Sequence, residues 1–522
     1  MRLRNNKLST DKHRCTQTFL DEIRFLSRVL DIRVYLCATV DKFNFRYSHL
    51  LIFIILIVAI NGFAQPKKQS FDRDLPDWVY KTGARKLPKS GGIYSANAFG
   101  AKGDGVTDST KAIQNAIDEA SKKGGTVHFD QGTYLTGALF LKSNVHLQVS
   151  EGVTLLASND EKLYPRKPTR VAGIEMEWLS ALINVENAQN VRISGKGTID
   201  GNGQKWWDKY WALRKEYEPK GLRWASDYDA ERVRLMLISN SKDVTVENVS
   251  LKRSGFWTVQ VLYSEYVTVD GIKISDNGGP STDGVDVDSS RYVLIQNCDI
   301  DNNDDDICLK AGRDFDGLRV NRPTEYIFIR DNIIRRGGGV VSFGSETSGG
   351  IRYVVALNNQ GIGTKEGVRF KSAKTRGGYV KDILVRGLKM DGVILPFTFT
   401  LNWNPSYSYA TIPEGMTNYP AFWKVMNTPV TPVEKGYCEF SNIRIENVQA
   451  INANRIFTAE GLPAKMILNV TFSNIKAQGK EAGTIQFAKN WIMKDVKLQT
   501  DNGEPLKLVN SENVNLPEVK KK

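Results

Sequence analysis

Short apolar-x-apolar triplets recur along most of the chain and set its architecture. They include Val191-Arg-Ile193, Val244-Thr-Val246, Val267-Thr-Val269, Val293-Leu-Ile295, Ile327-Phe-Ile329, Val354-Val-Ala356 and Ile383-Leu-Val385, followed by Ile443-Arg-Ile445 and Val470-Thr-Phe472. From Val244 to Ile383 the steps are 23, 26, 34, 27 and 29 residues. Alternation of this kind marks strands with one buried face. Asn, Asp and Gly punctuate them, as turns require. A regular long step of short strands predicts a solenoid in which each coil stacks on the last. The fold class is therefore all-β, a right-handed parallel β-helix.

One stretch has a helical period instead. Ala112, Ile113, Ala116, Ile117 and Ala120 form a single apolar stripe, Asp108 or Ser109 can cap it, and Gly124-Gly125 ends it. A strand at Thr126–Phe129 follows. This is predicted as an N-terminal capping helix, closing the open end of the solenoid where strand edges would otherwise be bare. The solenoid is placed at 93–515, with loop insertions near 201–232 and 397–437. Both insertions are rich in Trp and Tyr, and most of these rings are expected to anchor their own loops, with one or two left for a ligand.

The N-terminus has a different grammar. Leu50–Ile60 is eleven consecutive apolar residues, preceded by Lys42 and Arg46 and followed by Gly62-Phe63-Ala64. A spanning helix needs about 20. Residues 49–64 are predicted as a signal peptide cut after Ala64, with an uncleaved anchor as the alternative. Residues 1–48 precede it as an extension, consistent with a misassigned gene start, and 65–92 are expected to be a loose lead-in. The protein is then secreted or periplasmic, with no membrane attachment after cleavage and a monomeric state.

Composition narrows the chemistry. Of 71 Lys+Arg and 58 Asp+Glu, the first 64 residues hold 10 and 5, which leaves a net +8 beyond them. The charge is scattered, which argues against nucleic acid and is compatible with an acidic polymer. Of five cysteines only Cys298, Cys308 and Cys438 lie past the predicted leader, too few for a disulfide framework, and they are expected to be buried. The four histidines are His13, His49, His128 and His146, so the repeats beyond 146 cannot hold a Ser-His-Asp triad or a His-based zinc site. Chemistry there falls to carboxylates, Lys, Arg or Tyr.

Asp283 lies 21 residues before Asp304, and Asp305 follows. Parallel strands one coil apart are about 4.8 Å apart, so these acids converge on one spot. Crowded carboxylates can divide acid and base roles between them, as hydrolysis of a glycosidic bond demands. The run Asp299, Asp301, Asp304, Asp305, Asp306 would equally suit a solvated turn or a Ca²⁺ site. Arg369 and Lys371 alternate, so both point to one face, where two cations suit a sugar carboxylate.

The segments STDGVDVDSS, NNDDDICLKAGRD, GSETSGG and GVRFKSAKTRGG occur in that order. With them the chain resembles the polygalacturonase family, glycoside hydrolase family 28, from about Ala96 to the C-terminal repeats. The resemblance implies a pectin lyase-like solenoid that hydrolyses α-linked galacturonic acid in pectin with inversion and no metal or cofactor. It implies Asp304 as general acid, Asp283 and Asp305 as the groups that position and deprotonate water, and Arg369 and Lys371 as substrate-binding cations. It also implies carboxyls closer together than the ~6.5–9.5 Å usual for inverting enzymes. The chain departs from the family at Gly338, where a His is usual, and at Ser281, where an Asn is usual. Chain-end attack is expected from the aromatic insertions. The alternatives are a rhamnogalacturonan-specific hydrolase, a pectate lyase-type eliminase and a non-catalytic pectin-binding β-helix.

Overall fold

The structure, a computed structural model, describes residues 74–522. The predicted extension at 1–48, the signal peptide at 49–64 and the start of the lead-in lie outside the described residues. The remainder is the expected right-handed parallel β-helix. All the apolar triplets fall on one sheet, and their first residues form a single column. Val191 pairs with Val244, which pairs with Val267, and the column continues through Val293, Ile327, Val354, Ile383, Ile443 and Val470. Every one of these side chains is buried. Ile383 and Ile443 are neighbours in space although 60 residues separate them, because an insertion is looped out between them.

Each coil then turns a corner into a three-residue strand. The corner needs a left-handed residue: Asn248, Asn297, Asn358 and Asn447 all have φ 55°, and Gly271 and Gly387 have φ 61° and 75°. Asn and Gly tolerate that region at least cost, which is why they punctuate the sequence.

The third wall carries the site. Its strands are β1 (Val259–Leu262), β2 (Val285–Asp288), β3 (Ile307–Lys310), β4 (Gly339–Phe343), β5 (Glu366–Lys371) and β6 (Leu395–Thr400). They pair in parallel and in sequence. Phe343, Phe370 and Phe399 point inward and stack, with ring centroids 4.4 and 4.7 Å apart. The residues alternating with them therefore face out: Asp286, Cys308, Ser342 and Arg369 in one row, Asp288 and Lys310 in the next.

The cap forms as α1 (Thr110–Lys123), which buries Ile113, Ala116, Ile117 and Ala120. Asp108, not Ser109, supplies the capping contact: its carboxylate accepts the Thr110 N–H at 3.0 Å. Ser109 instead ties back to Lys102. The described part of the lead-in is not loose. Val79 is buried against Phe328, Val355, Leu357 and Leu384, and Arg85 grips Asp243 through two nitrogens at 3.1 Å each. At the other end the winding runs past the expected residue 515, since Val519–Lys521 pairs with Leu498–Thr500.

The first insertion folds as α2 (Gln204–Tyr217), followed by a short helical turn, Arg223–Ala225. The second begins only after β6, so Phe397–Thr400 belongs to the solenoid rather than to the loop. The two insertions meet: Trp423 Nε1 donates to Asp229 at 3.0 Å, and the Trp224 and Trp423 rings lie 4.8 Å apart. An antiparallel hairpin, Arg166–Val171 with Ile174–Leu179, was not foreseen from the periodicity. Among the described residues no helix is long and apolar enough to cross a membrane.

Candidate active site

Two adjacent turns bring the acids together. In Ser281–Gly284 the Thr282 hydroxyl donates to Gly279 O at 2.8 Å and fixes the bend that presents Asp283. The turn of the next coil stacks directly on it, and its Asp305 O accepts the Gly284 N–H at 2.9 Å. A Cβ on Gly284 would come within 2.3 Å of Asp306 O, so only glycine lets the two turns approach this closely. Reactive atoms of Asp283, Asp305 and Cys308 consequently lie within 4.8 Å of one another.

Asp305 is the most firmly held. Its Oδ1 accepts from Arg369 and from Ser342 Oγ, both at 2.8 Å, while its Oδ2 accepts from Lys371. Arg369 and Lys371 thus share one face, as alternation predicts, and they clasp the same carboxylate from both sides. Burial alone would lift Asp305, but Lys371, Arg369 and Lys310 outweigh it and hold it well below the ordinary carboxylate range. Asp304 is half-buried and lines the same cleft; its Oδ1 accepts the Asp305 N–H at 2.9 Å.

Lys310, which sequence reasoning passed over, organises the other side. Its ammonium lies 3.3 Å from Asp283, 3.3 Å from Asp286 and 3.6 Å from Glu346, over the Trp257 ring at 4.7 Å. Burial, together with Asp286, Asp304 and Asp305 nearby, lifts Asp283 well above its usual value against the pull of Lys310. Burial likewise lifts Asp286 to about 7 in spite of Lys310. Lys310 faces Asp286 as an ion pair at 3.3 Å, and this together with the neighbouring Asp283 only partly offsets the burial. Glu346 goes the other way. Burial would raise it, but Lys310, Arg376, Lys371 and Arg313 hold it at about 2.

The site therefore contains one carboxylate fixed in its ionised form next to one whose proton affinity is raised. That division is what acid-base chemistry needs. Any metal ion among Asp283, Asp305 and Cys308 would have to displace the cations already facing both carboxylates, which disfavours it. Nor does the wider acidic run gather into a cation site: Asp299 and Asp301 sit on the neighbouring wall, paired with Arg335 and Arg336. Cys298, Cys308 and Cys438 are buried free thiols, as expected.

Gly338 lies against the acids without a side chain. Its N–H donates to Asp304 O at 2.7 Å, and a Cβ there would stand 3.0 Å from both Asp305 N and Asp305 Oδ1. Ser281 also lines the cleft, and its hydroxyl donates to Asp227 of the first insertion at 2.7 Å.

The cleft is open to solvent and has a volume of about 70 Å³. Trp257, Lys310 and Glu346 line its floor with the acids, Arg223 and Asp227 come from the first insertion, and Trp403 and Tyr407 from the second. Of the other insertion aromatics, Trp206, Tyr210, Trp224, Tyr228 and Trp423 are buried as anchors, whereas Trp211 is exposed and the rest are partly buried. Lys310 and Glu346 stood inside the motifs NNDDDICLKAGRD and GSETSGG, and the alternation Ile-Cys-Leu-Lys could have placed Lys310 outward. Nothing in sequence marked Arg223.

A parallel β-helix whose outer wall gathers carboxylates and cations in an open cleft fits a polysaccharide-processing solenoid. The sequence profile of the Glycosyl hydrolases family 28 matches residues 169–411. A probable polygalacturonase from Vitis vinifera is 32% identical over 389 residues, covering 72% of each chain. The chain belongs to glycosyl hydrolases family 28 and is a glycoside hydrolase. An exo-poly-alpha-D-galacturonosidase from Dickeya chrysanthemi is 26% identical over 439 residues, covering 74% of this chain and 71% of the relative. Among solved structures, the exopolygalacturonase from Thermotoga maritima superposes with a TM-score of 0.66 at 28% identity, covering 80% of this chain and 94% of that one.

Proposed function

We propose that the protein hydrolyses the α-linked galacturonic acid chain of pectin from an end, with inversion. The observation that carries this is the Asp305 carboxylate clasped by Arg369 and Lys371, with Asp283 across from it and Asp304 on the same cleft wall. In this reading Asp304, the more accessible acid, protonates the leaving oxygen. Asp283 and Asp305 hold a water between them, and the raised proton affinity of Asp283 suits it to accept the proton. Arg369 and Lys371 face outward next to the reacting sugar and orient its carboxylate.

Chain-end attack is supported by the insertions. They contact each other through Trp423, Asp229 and Trp224, and both contribute to the cleft wall, as insertions that shorten the binding groove would. The relatives named for exo activity agree with it. Export is also proposed, on the apolar run Leu50–Ile60 and the small residues after it.

The test is product analysis with homogalacturonan, rhamnogalacturonan and short oligogalacturonides. Release of the smallest saturated product from the start, without an intermediate ladder, is expected from homogalacturonan. Unsaturated products lighter by one water, or no cleavage of any fraction, would overturn the reading.

A further inference from the structure

The cations that line the cleft are not equivalent. Lys310 faces three carboxylates and Lys371 faces Asp305. Arg223, from the first insertion, is in a different position. Its Nη1 donates to Asp227 at 2.9 Å, but Asp227 also accepts from the fully buried Arg232 at 2.8 Å and from Ser281. Arg232 directs its remaining donors to Pro280 O and Ala230 O. One carboxylate thus serves two guanidinium groups, leaving a positive surplus at this end of the cleft. The next acid, Glu218, is 3.9 Å away and about half exposed. Arg223 Nη2 makes no hydrogen bond to the described residues. The Arg223 side chain is 15% exposed, lines the cleft and lies with its guanidinium 5.2 Å from the Tyr407 ring, which restrains its position.

We infer that Arg223 forms a second carboxylate-binding subsite, holding the uronate next to the one being cleaved, on the side of the cleft lined by the insertions. This rests on the galacturonan reading. It follows from charge and supply: the substrate carries one carboxylate per sugar, and Arg223 is the cleft-lining cation with an unused donor edge. A planar fork suits a carboxylate, and its charge-assisted hydrogen bonds strengthen in a partly dry site. The consequence is specificity for two successive free uronates rather than one.

The experiment uses Arg223→Gln and Arg223→Lys in the full chain, with digalacturonate and trigalacturonate compared with the same oligomers methyl-esterified on single residues. Binding is read by calorimetry in an Asp304→Asn background, and turnover in the otherwise native enzyme. Arg223→Gln is expected to weaken binding of the acid oligomers about 10- to 100-fold. It should also abolish the penalty that esterifying the adjacent uronate imposes on the native protein. Arg223→Lys should recover part of the loss, which separates a binding defect from a folding one. If the native protein cleaves galacturonan but Arg223→Gln binds acid and ester oligomers with unchanged preference, the Arg223 assignment falls alone. A native protein that binds no galacturonate oligomer would overturn both readings.

Discussion

The Lys310 ammonium stands 3.3 Å from the Asp283 carboxylate and 3.6 Å from Glu346, so one buried cation is shared between the proposed base and a second carboxylate of the cleft. This makes Lys310 a positioning residue with a measurable signature. It works against burial and the neighbouring acids, which push the Asp283 proton affinity up. Lys310→Met removes that opposition, and the acidic limb of the kcat/KM profile should move to higher pH by about one to two units. Glu346→Gln frees Lys310 for Asp283 and should move the same limb down. Opposite shifts in the two variants are the expected outcome; parallel shifts would indicate a general structural defect.

Stability should depend on pH with opposite sign at Asp286 and Asp305. Asp286 is lifted to about 7, so the folded state holds a proton that the unfolded state has lost above about 4. Its contribution therefore worsens as pH climbs from about 4 to about 7. Asp286→Asn should melt higher than the native protein at pH 7.5, with the advantage vanishing near pH 4. Asp305 is depressed, so it stabilises at all pH values above the ordinary carboxylate range. Asp305→Asn should melt lower at neutral pH, and the deficit should narrow only in strong acid. Thermal melts across pH check both.

Asp304 lines the cleft, and as the proposed general acid it should be required for chemistry more than for folding. Asp304→Asn is expected to lower kcat by about 10²- to 10⁴-fold while the melting temperature stays close to that of the native protein. An unchanged kcat removes Asp304 from its role.

Gly338 should resist enlargement. A Cβ would press on Asp305 N and Oδ1 at 3.0 Å, and Asp305 cannot easily yield because Arg369, Lys371 and Ser342 hold it. Gly338→Ala is expected to lower kcat, by up to about 10²-fold if the carboxylate moves by as much as 1 Å. Gly338→His, which restores the family's usual residue, should not raise activity. Steady-state kinetics on oligogalacturonides decide both.

The winding was legible in the order of residues along the chain. The column from Val191 to Val470 was legible because each coil must bury the same two apolar positions, and the corners were legible because only Asn, Asp and Gly take the left-handed bend cheaply. The same periodicity carried Asp283 and Asp305 to one place and turned Arg369 and Lys371 outward together, since both consequences follow from strand alternation and coil stacking. The insertions were visible only as gaps in that rhythm, so their start after Thr400 and the strap from Val79 to Arg85 could not be read from it.

The electrostatics of the cleft emerge only in the folded chain. Lys310 meets partners from the Asp283 turn, from β2 and from the loop after β4, and no spacing rule links those three positions. Arg223 reaches the cleft because its segment packs against a second insertion some 200 residues later, through Trp224 on Trp423. Periodicity reports which way a side chain points. Which charges then share a dry cavity depends on distances that only the folded chain sets, and in low dielectric those distances decide which acid keeps its proton.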